Sequence, residues 1–63
     1  MDKYFIVFVI NFGNPKGKEL AKRYEITDML KHIHGFPTKA GMKKYVEENA
    51  EAFKDYWLLK PIS

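Results

Sequence analysis

An almost unbroken apolar run lies near the start of the chain. Tyr4-Phe12 has one strongly polar residue, Asn11, and is rich in the β-branched and aromatic side chains that favour strands. The turn-forming segment 13–17, with two glycines and a proline, ends the run. Successive side chains of a strand point to opposite faces, so both faces of this strand are apolar. The pattern predicts a central strand that needs cover on both sides.

The next segment, Lys18–Thr27, fits two structures. As a strand, it would have one face with Leu20, Lys22, Tyr24 and Ile26 and another with Ala21, Arg23 and Glu25, and the turn before it would close an antiparallel hairpin over residues 3–27. As a helix, Leu20 and Tyr24 lie four residues apart on one face. We prefer the strand, because a lone strand needs a partner and a short, turn-rich connection is typical of hairpins. The helix stays open as the alternative.

The rest of the chain predicts two helices. A short one of about two turns begins after an N-cap at Thr27 and ends before Gly35. Thr38 starts a long amphipathic helix over Lys39–Asp55. The apolar residues of the short helix are Ile26, Met29, Leu30 and Ile33, and those of the long helix are Met42, Val46, Ala50, Phe53 and Trp57.

The tail after the long helix, residues 56–63, is apolar and has two interpretations. It either extends the helix by a turn or forms a short third strand, which Pro61 would confine to a sheet edge. All the elements fit one small α+β domain over residues 1–63. In that domain an N-terminal β-hairpin around the apolar strand is packed by a short and a long helix, and the tail adds either a short C-terminal strand or one more helical turn.

Composition limits the stability of the domain and predicts the compartment in which the protein is found. The chain has 63 residues and no cysteine, so neither disulfides nor cysteine-ligated zinc can support its core. A domain of about 60 residues buries only about 60% of its unfolded surface, which leaves a thin margin and favours help from a partner. The lack of cysteine and of a signal-peptide pattern around the apolar run predicts a cytoplasmic protein with no membrane partner.

Few residues are candidates for catalysis or metal binding. Ser63 is the one serine, so a serine or cysteine nucleophile is close to excluded. The glutamates of the long helix lie among lysines, which predicts a solvated, ion-paired face. His32 and His34, two residues apart in the predicted short helix, would point in different directions near its end and face solvent. We therefore expect a protein that is not an enzyme and has no cofactor or metal site.

Positive charge suggests one function. The net charge is +3, and the basic residues concentrate in the middle of the chain. Two helices joined by the turn 35–37 would form a helix-turn-helix whose second helix enters a DNA groove. Arg23 is the one arginine, and the outer face of the second helix becomes acidic, both of which weigh against DNA binding. The candidate nucleic-acid or anion-binding residues are Lys16, Lys18, Lys39, Lys43 and Lys44.

Surplus apolar surface suggests another function, which we prefer. Two helices can cover only one face of a small sheet, and a contiguous exposed apolar patch normally marks an interface. The residues left over are Phe5, Val7 and Val9 of the apolar strand and Trp57, Leu58 and Leu59 of the tail. They predict a non-catalytic protein-binding module of the small inhibitor or adaptor type. It would occupy a surface of another protein, either alone or as a homodimer.

Overall fold

The computed structural model of the protein describes residues 4–59, which form a three-stranded sheet with two helices packed on one face. The strands are β1 (Tyr4–Ile10), β2 (His32–Phe36) and β3 (Phe53–Leu59). The helices are α1 (Pro15–Arg23) and α2 (Lys39–Asn49), and a 3₁₀ turn, Ala50–Ala52, joins α2 to β3. The predicted α+β class is confirmed, with two helices on a sheet and a C-terminal strand, although the shorter helix lies in a different segment from the one predicted. The predicted hairpin start at Lys3 and the end of the tail, residues 60–63, lie outside the described residues.

The apolar strand is central, as its two apolar faces predict. The strand order is β2-β1-β3, and β1 is antiparallel to both neighbours. Since β2 and β3 each run opposite to β1, they are parallel to one another, and α2 crosses from one side of β1 to the other between them. The register between β1 and β3 shifts at Val9 and Ile10, where a bulge interrupts the ladder.

The preferred strand over Lys18–Thr27 is wrong, and the helical alternative is right. Asn14 caps α1, because its side-chain Oδ1 accepts a hydrogen bond from the Lys16 backbone N–H at 2.8 Å. Pro15 follows at the start of the helix, where its missing N–H costs nothing. The segment that the sequence presents as a hairpin turn is therefore a helix start.

The partner of β1 comes from the region predicted to be the short helix. Residues 32–36 form β2, antiparallel to β1, so Thr27 caps no helix and the predicted helix before Gly35 is wrong. The helical spacing there was coincidental. Met29, Leu30 and Ile33 are all more than half exposed, and Ile26 alone of that set packs against the core.

The long helix is also shorter than predicted. Thr38 caps it as expected, accepting a hydrogen bond from the Gly41 N–H at 3.1 Å, but α2 ends at Asn49 instead of Asp55. The Asn49 side-chain amide donates to the Tyr45 carbonyl at 2.8 Å and ties down the last turn. The aromatic residues that appear to continue a helical stripe belong to β3, because aromatic residues also favour strands.

The core lies between one face of the sheet and the helices. Ile6, Phe8 and Ile10 of β1 are completely buried. The other members of this cluster are Leu20 and Ala21 of α1, Ala52 of the 3₁₀ turn and Phe53 of β3. Phe8 is the ring at the centre, with the Phe53 ring centroid 4.8 Å away and the His34 centroid 5.1 Å away. The helix-facing side of β1 is thus the hydrophobic core of the domain.

Within residues 4–59, Tyr45 of α2 is the one residue with a buried side-chain polar atom that lacks a hydrogen-bond partner. Its ring packs on Phe36 and Phe53, while its hydroxyl is buried without a hydrogen-bond partner among the described residues. Burial is the main cause that raises the pKa of Tyr45, and the neighbouring Tyr24 adds to it. The hydroxyl is therefore desolvated, and the Tyr24 hydroxyl, although near enough to affect its pKa, does not meet it with hydrogen-bond geometry.

Tyr45→Phe should stabilise the protein. Removing a buried hydroxyl without a partner is expected to raise the free energy of unfolding by about 1 kcal/mol, measured by urea denaturation. Tyr56→Phe is the control, because Tyr56 is 41% exposed and its change should stay within about 0.5 kcal/mol. A loss of stability in Tyr45→Phe would show that the Tyr45 hydroxyl makes a stabilising hydrogen bond in the folded protein.

Candidate protein-docking surface

The sheet face opposite the helices carries a continuous set of apolar side chains. In the antiparallel register Val7 lies opposite both Ile33 and Trp57, and Phe5 lies opposite Leu59. Directly opposite residues share a face, so these side chains lie together. We call this surface the open face. Its residues are Phe5, Val7 and Val9 of β1, Ile33 of β2, and Trp57 and Leu59 of β3.

The two faces of the sheet differ in how far their side chains are exposed to solvent. On β1 every helix-facing residue from Ile6 to Ile10 is fully buried, whereas the residues between them are only partly buried. On the flanking strands the open face is more accessible: Ile33 is 59% exposed, Trp57 41% and Leu59 43%. No element within residues 4–59 covers this face.

One charged side chain lies over the open face. The Nζ atom of Lys31, in the loop before β2, is 4.7 Å from the centroid of the Trp57 ring. This is a cation–π contact, which contributes only about 0.5–1 kcal/mol at an exposed site. Lys31 therefore shields part of the Trp57 ring and leaves the apolar strip beside it accessible.

The structure brings together five of the six predicted interface residues. Leu58 lies elsewhere, since it is opposite Ile6 and points to the helix side. It is still 47% exposed, because the helices pack mainly over β1 and β2. Ile33 belongs to the open face but was missed, because its segment fits a helical pattern. Its β-branched side chain between two histidines was the available strand signal.

The predicted cationic residues occupy two helices instead of one motif. Lys16 and Lys18 lie on α1, where the Lys16 Nζ is 3.4 Å from a Glu51 carboxylate oxygen. Lys39, Lys43 and Lys44 lie exposed on α2. The helix-turn-helix is wrong, because the residues before α2 form the strand β2.

A groove of about 170 Å³ separates α1 from α2. Acidic and basic side chains line it together: Lys16, Glu19, Leu20, Arg23, Glu48 and Asn49. Glu19 and Arg23 lie 3.9 Å apart, so charges in the groove already compensate one another. Its volume is below the several hundred Å³ typical of small-molecule sites. The groove is therefore a solvent-exposed gap between two helices rather than a small-molecule site.

The two histidines lie in a different environment from the one predicted. They are on β2, two residues apart, so both side chains point toward the helices rather than into solvent at a helix end. The His34 ring stacks at 5.6 Å on Tyr45, and His32 Nε2 is 3.0 Å from an Asp28 oxygen. Desolvation, with a smaller effect of the neighbouring His32, lowers the pKa of His34 below its ordinary value.

The free energy of unfolding should fall as the pH is lowered through the range in which histidine gains its proton. The folded state favours neutral His34, so the unfolded chain binds more protons between the lowered folded pKa and the unfolded value of about 6.5. The His34 contribution is complete above about pH 6.5 and is lost as pH falls toward the folded pKa. Urea denaturation between about pH 7.5 and 5 measures it.

His34→Phe is the matched control, because it keeps an aromatic ring on β2 and leaves His32 in place. The variant should lose less stability than the wild type over the same pH interval. Equal slopes for the two proteins would contradict a role for His34 in this dependence.

Comparison of the chain with protein-family models, curated proteins and solved structures finds no significant match. Residues 4–59 contain no helix of the length and apolar character needed to cross a bilayer. The same part of the chain contains no group of three or more acidic, histidine or cysteine side chains arranged to hold a metal ion. The open face is therefore the feature of residues 4–59 that points to a function.

Proposed function

We propose that the protein is a non-catalytic protein-binding module, of the small inhibitor or adaptor type, that acts by occupying a surface of another protein. The observation that carries this proposal is the open face: six apolar side chains on three adjacent strands with no covering element among the described residues. Contiguous apolar patches on small domains mark interaction sites more often than scattered apolar residues do.

The chemistry of the face supports binding to a protein. Trp57 offers a large, partly exposed ring with a polar N–H, and tryptophan is enriched among residues that dominate binding energy. Val7 of β1 lies opposite it and Leu59 follows on the same face of β3, and these apolar neighbours can exclude water from one edge of the ring. The face has an aromatic anchor and an apolar surround, which is the arrangement of a binding hot spot.

The absence of catalysis is part of the proposal. The described groove between the helices is small and lined by opposed charges, and the histidines are packed among aromatic rings. The charged groups at the open face are Asp55, opposite Val9, and Lys31, over the Trp57 ring, and neither lies in a pocket among the described residues. The apolar side chains that make up the rest of the face are suited to binding.

Affinity capture from a host lysate, with and without nuclease, tests this function. The wild-type protein should retain a discrete protein partner that resists nuclease. Val7→Lys places a charge at the centre of the open face and should abolish this capture. Lys43→Ala, on the exposed surface of α2, should leave it unchanged. Failure to capture a protein, or equal capture by Val7→Lys, would contradict the proposal.

Nucleic-acid binding is the competing outcome of the same experiment. It would use the lysines of α1 and α2, two of which already contact glutamates: Lys16 with Glu51, and Lys44 with Glu48 at 4.0 Å. Nuclease-sensitive capture that weakens in a Lys39, Lys43 and Lys44 triple alanine variant, and declines steeply with salt, would favour this alternative.

A further inference from the structure

The outer edge of β3 has no strand beside it among residues 4–59. β1 is the centre of the sheet, so one side of β3 pairs with β1 and the other side is free. Four consecutive large apolar residues lie along this strand, each between 41 and 47% exposed: Tyr56, Trp57, Leu58 and Leu59. They alternate between the helix side and the open face. An edge strand that is apolar on both sides has the side-chain pattern of an interior strand.

The backbone hydrogen bonds show which groups of β3 point to its free edge. The Asn11 N–H donates to the Ala52 carbonyl at 2.8 Å, on the β3 side of β1. Alternate residues of a strand direct their N–H and C=O groups to opposite sides, so those of Phe8 face β2. Phe8 lies opposite Tyr56, and directly opposite residues face each other or face apart together. The N–H and C=O groups of Tyr56 therefore point away from β1.

The Asp55 side chain holds this outward N–H. Asp55 Oδ1 accepts a hydrogen bond from the Tyr56 N–H at 3.0 Å. Leu58, two residues further along, presents its own N–H and C=O at the same edge. A chain that pairs here must displace Asp55 from the Tyr56 N–H. Asp55 therefore opposes strand addition, as charged residues do at the edges of native sheets.

β3 is complementary to an antiparallel copy of itself. A two-fold axis perpendicular to the sheet at Trp57 places Tyr56 of each copy opposite Leu58 of the other. Both residues direct their backbone groups outward, so each of the two symmetric pairs exchanges two hydrogen bonds. Between these pairs Trp57 meets Trp57 of the second copy, in the non-hydrogen-bonded position where side chains are closest. Apolar residues then lie opposite apolar residues on both faces.

Neighbouring registers satisfy fewer groups of this edge. An axis at Tyr56 places Leu58 opposite Lys54, the extra residue at the bulge, and places Asp55 opposite Trp57. An axis at Leu58 places Tyr56 opposite a position outside the described residues. The axis at Trp57 pairs both outward-facing residues within the described strand.

We propose that β3 pairs edge to edge with β3 of a second copy, antiparallel about an axis at Trp57, to form one continuous six-stranded sheet. The complementary hydrogen-bonding groups of Tyr56 and Leu58 carry the proposal. Asp55 weakens the pairing by competing for the Tyr56 N–H. The contact goes beyond the proposed function, because it uses the backbone edge of β3 rather than the open face as its binding surface.

The contact is short, and this sets the expected affinity. Residues 55–59 of each copy take part, which is about 17 Å of strand. Specific interfaces usually bury about 800 Å² per partner, more than one added strand of this length provides. We therefore expect a dimer with a dissociation constant of about 100 µM, measured by sedimentation equilibrium between about 5 and 1000 µM.

Leu58→Pro tests the backbone hydrogen bonds. Proline has no N–H, and because the Leu58 N–H points outward, the change leaves the ladder between β1 and β3 intact. The variant should dimerise at least about tenfold more weakly than the wild type. Leu58→Ala keeps the N–H and should weaken the dimer by about threefold at most. Urea midpoints show whether each variant is folded, and Leu58→Lys, with the same expected loss, replaces an unfolded proline variant.

Asp55→Ala tests the competition for the Tyr56 N–H. Without the carboxylate this N–H is free to pair, so the variant should dimerise at least about threefold more tightly than the wild type. Asp55→Asn is the matched control, because its side-chain oxygen can still accept the hydrogen bond, and its dimer should stay within about twofold of the wild type. Equal affinities of Asp55→Ala and the wild type would overturn the role of Asp55.

A single introduced cysteine tests the register, because the chain has no cysteine of its own. The Cα atoms of residue 57 in the two copies would lie about 4.5 Å apart, so Trp57→Cys should form an interchain disulfide on mild oxidation. Those of residue 59 would lie about 14 Å apart, so Leu59→Cys should not. Any other pattern of cross-linking would exclude the axis at Trp57.

Three results would overturn the dimer itself. One is a wild-type protein that stays monomeric to about 1000 µM. Another is a dimer that is unaffected by proline or lysine at position 58, which would place the contact on another surface. The third is loss of the dimer in Val7→Lys, which changes the open face and leaves the edge intact. None of them removes the proposed function, because capture of a partner is measured separately.

Discussion

Gly17→Ala is expected to destabilise the protein by about 3 kcal/mol or more, at the upper end of the cost of overpacking. A Cβ atom at this position would lie 1.9 Å from the Asn11 carbonyl oxygen and 3.1 Å from the Ala52 carbonyl oxygen. Both neighbours are backbone atoms, so no side-chain rotation can relieve the clash. The gain of about 1 kcal/mol in helix propensity on replacing glycine is too small to offset it.

The reason for the close approach lies in how three segments meet. The Asn11 N–H donates to the Ala52 carbonyl at 2.8 Å, which fixes the end of β1 to the 3₁₀ turn. The first turn of α1 packs onto that junction through Gly17, which is buried. Shifting the helix to admit a methyl group would disturb the contacts of Leu20 with the core.

Gly41→Ala provides the matched control in α2. Its Cβ would lie 3.1 Å from the Thr38 Oγ1 atom and 3.9 Å from the Phe36 ring, and both are side-chain atoms that can adjust. We expect a net change within about 1 kcal/mol, since helix propensity offsets the adjustment. Urea denaturation of both variants decides the matter. Equal stability of Gly17→Ala and the wild type would contradict the described packing of α1.

Phe8→Ala is expected to remove about 3–5 kcal/mol, the usual cost of deleting a buried aromatic ring. Phe8 is completely buried and lies against the Phe53 and His34 rings. At about 0.05–0.15 kcal/mol per residue, a 63-residue protein has about 3–9 kcal/mol in total. The variant should therefore lose at least about a third of the total stability, and urea denaturation followed by far-ultraviolet circular dichroism should show a large fall in the midpoint.

Val7→Ala is the contrasting change on the same strand. Val7 points to the open face, so its truncation should lower stability by only about 1 kcal/mol while weakening partner capture. The two variants separate the roles of the two faces: one supports folding and the other supports binding. Comparable losses of stability for Phe8→Ala and Val7→Ala would mean that both faces are buried in the isolated chain.

Local sequence signals located β1 because its pattern has one interpretation. A run of aromatic and β-branched residues ending in a glycine-rich turn favours a strand, and its two apolar faces predict a central position, which the strand order confirms. The cap at Thr38 was equally predictable, since threonine before a helical pattern accepts from the first turn. These features depend on neighbouring residues alone.

The remaining elements depend on tertiary contacts. Asn14-Pro15 suits both a hairpin turn and a helix start, and the close approach of Gly17 to Asn11 is visible only in the folded chain. His32–Phe36 forms a strand because its backbone pairs with the edge of β1. This pairing cannot be read from the strand or helix propensities of residues 32–36 alone. The open face was found in part because β1 and β3 residues were recognised as surplus apolar surface. Ile33 was missed along with the strand that carries it.

The fluorescence of Trp57 gives the most direct test of whether the open face is a binding surface. The chain has a single tryptophan, and it lies at the centre of β3 on that face. Acrylamide quenching should fall when the protein binds a captured partner, and the emission should shift to shorter wavelength. Val7→Lys should show neither change. Unchanged quenching of the wild-type protein on association would mean that the contact lies elsewhere, and would contradict the role of the open face.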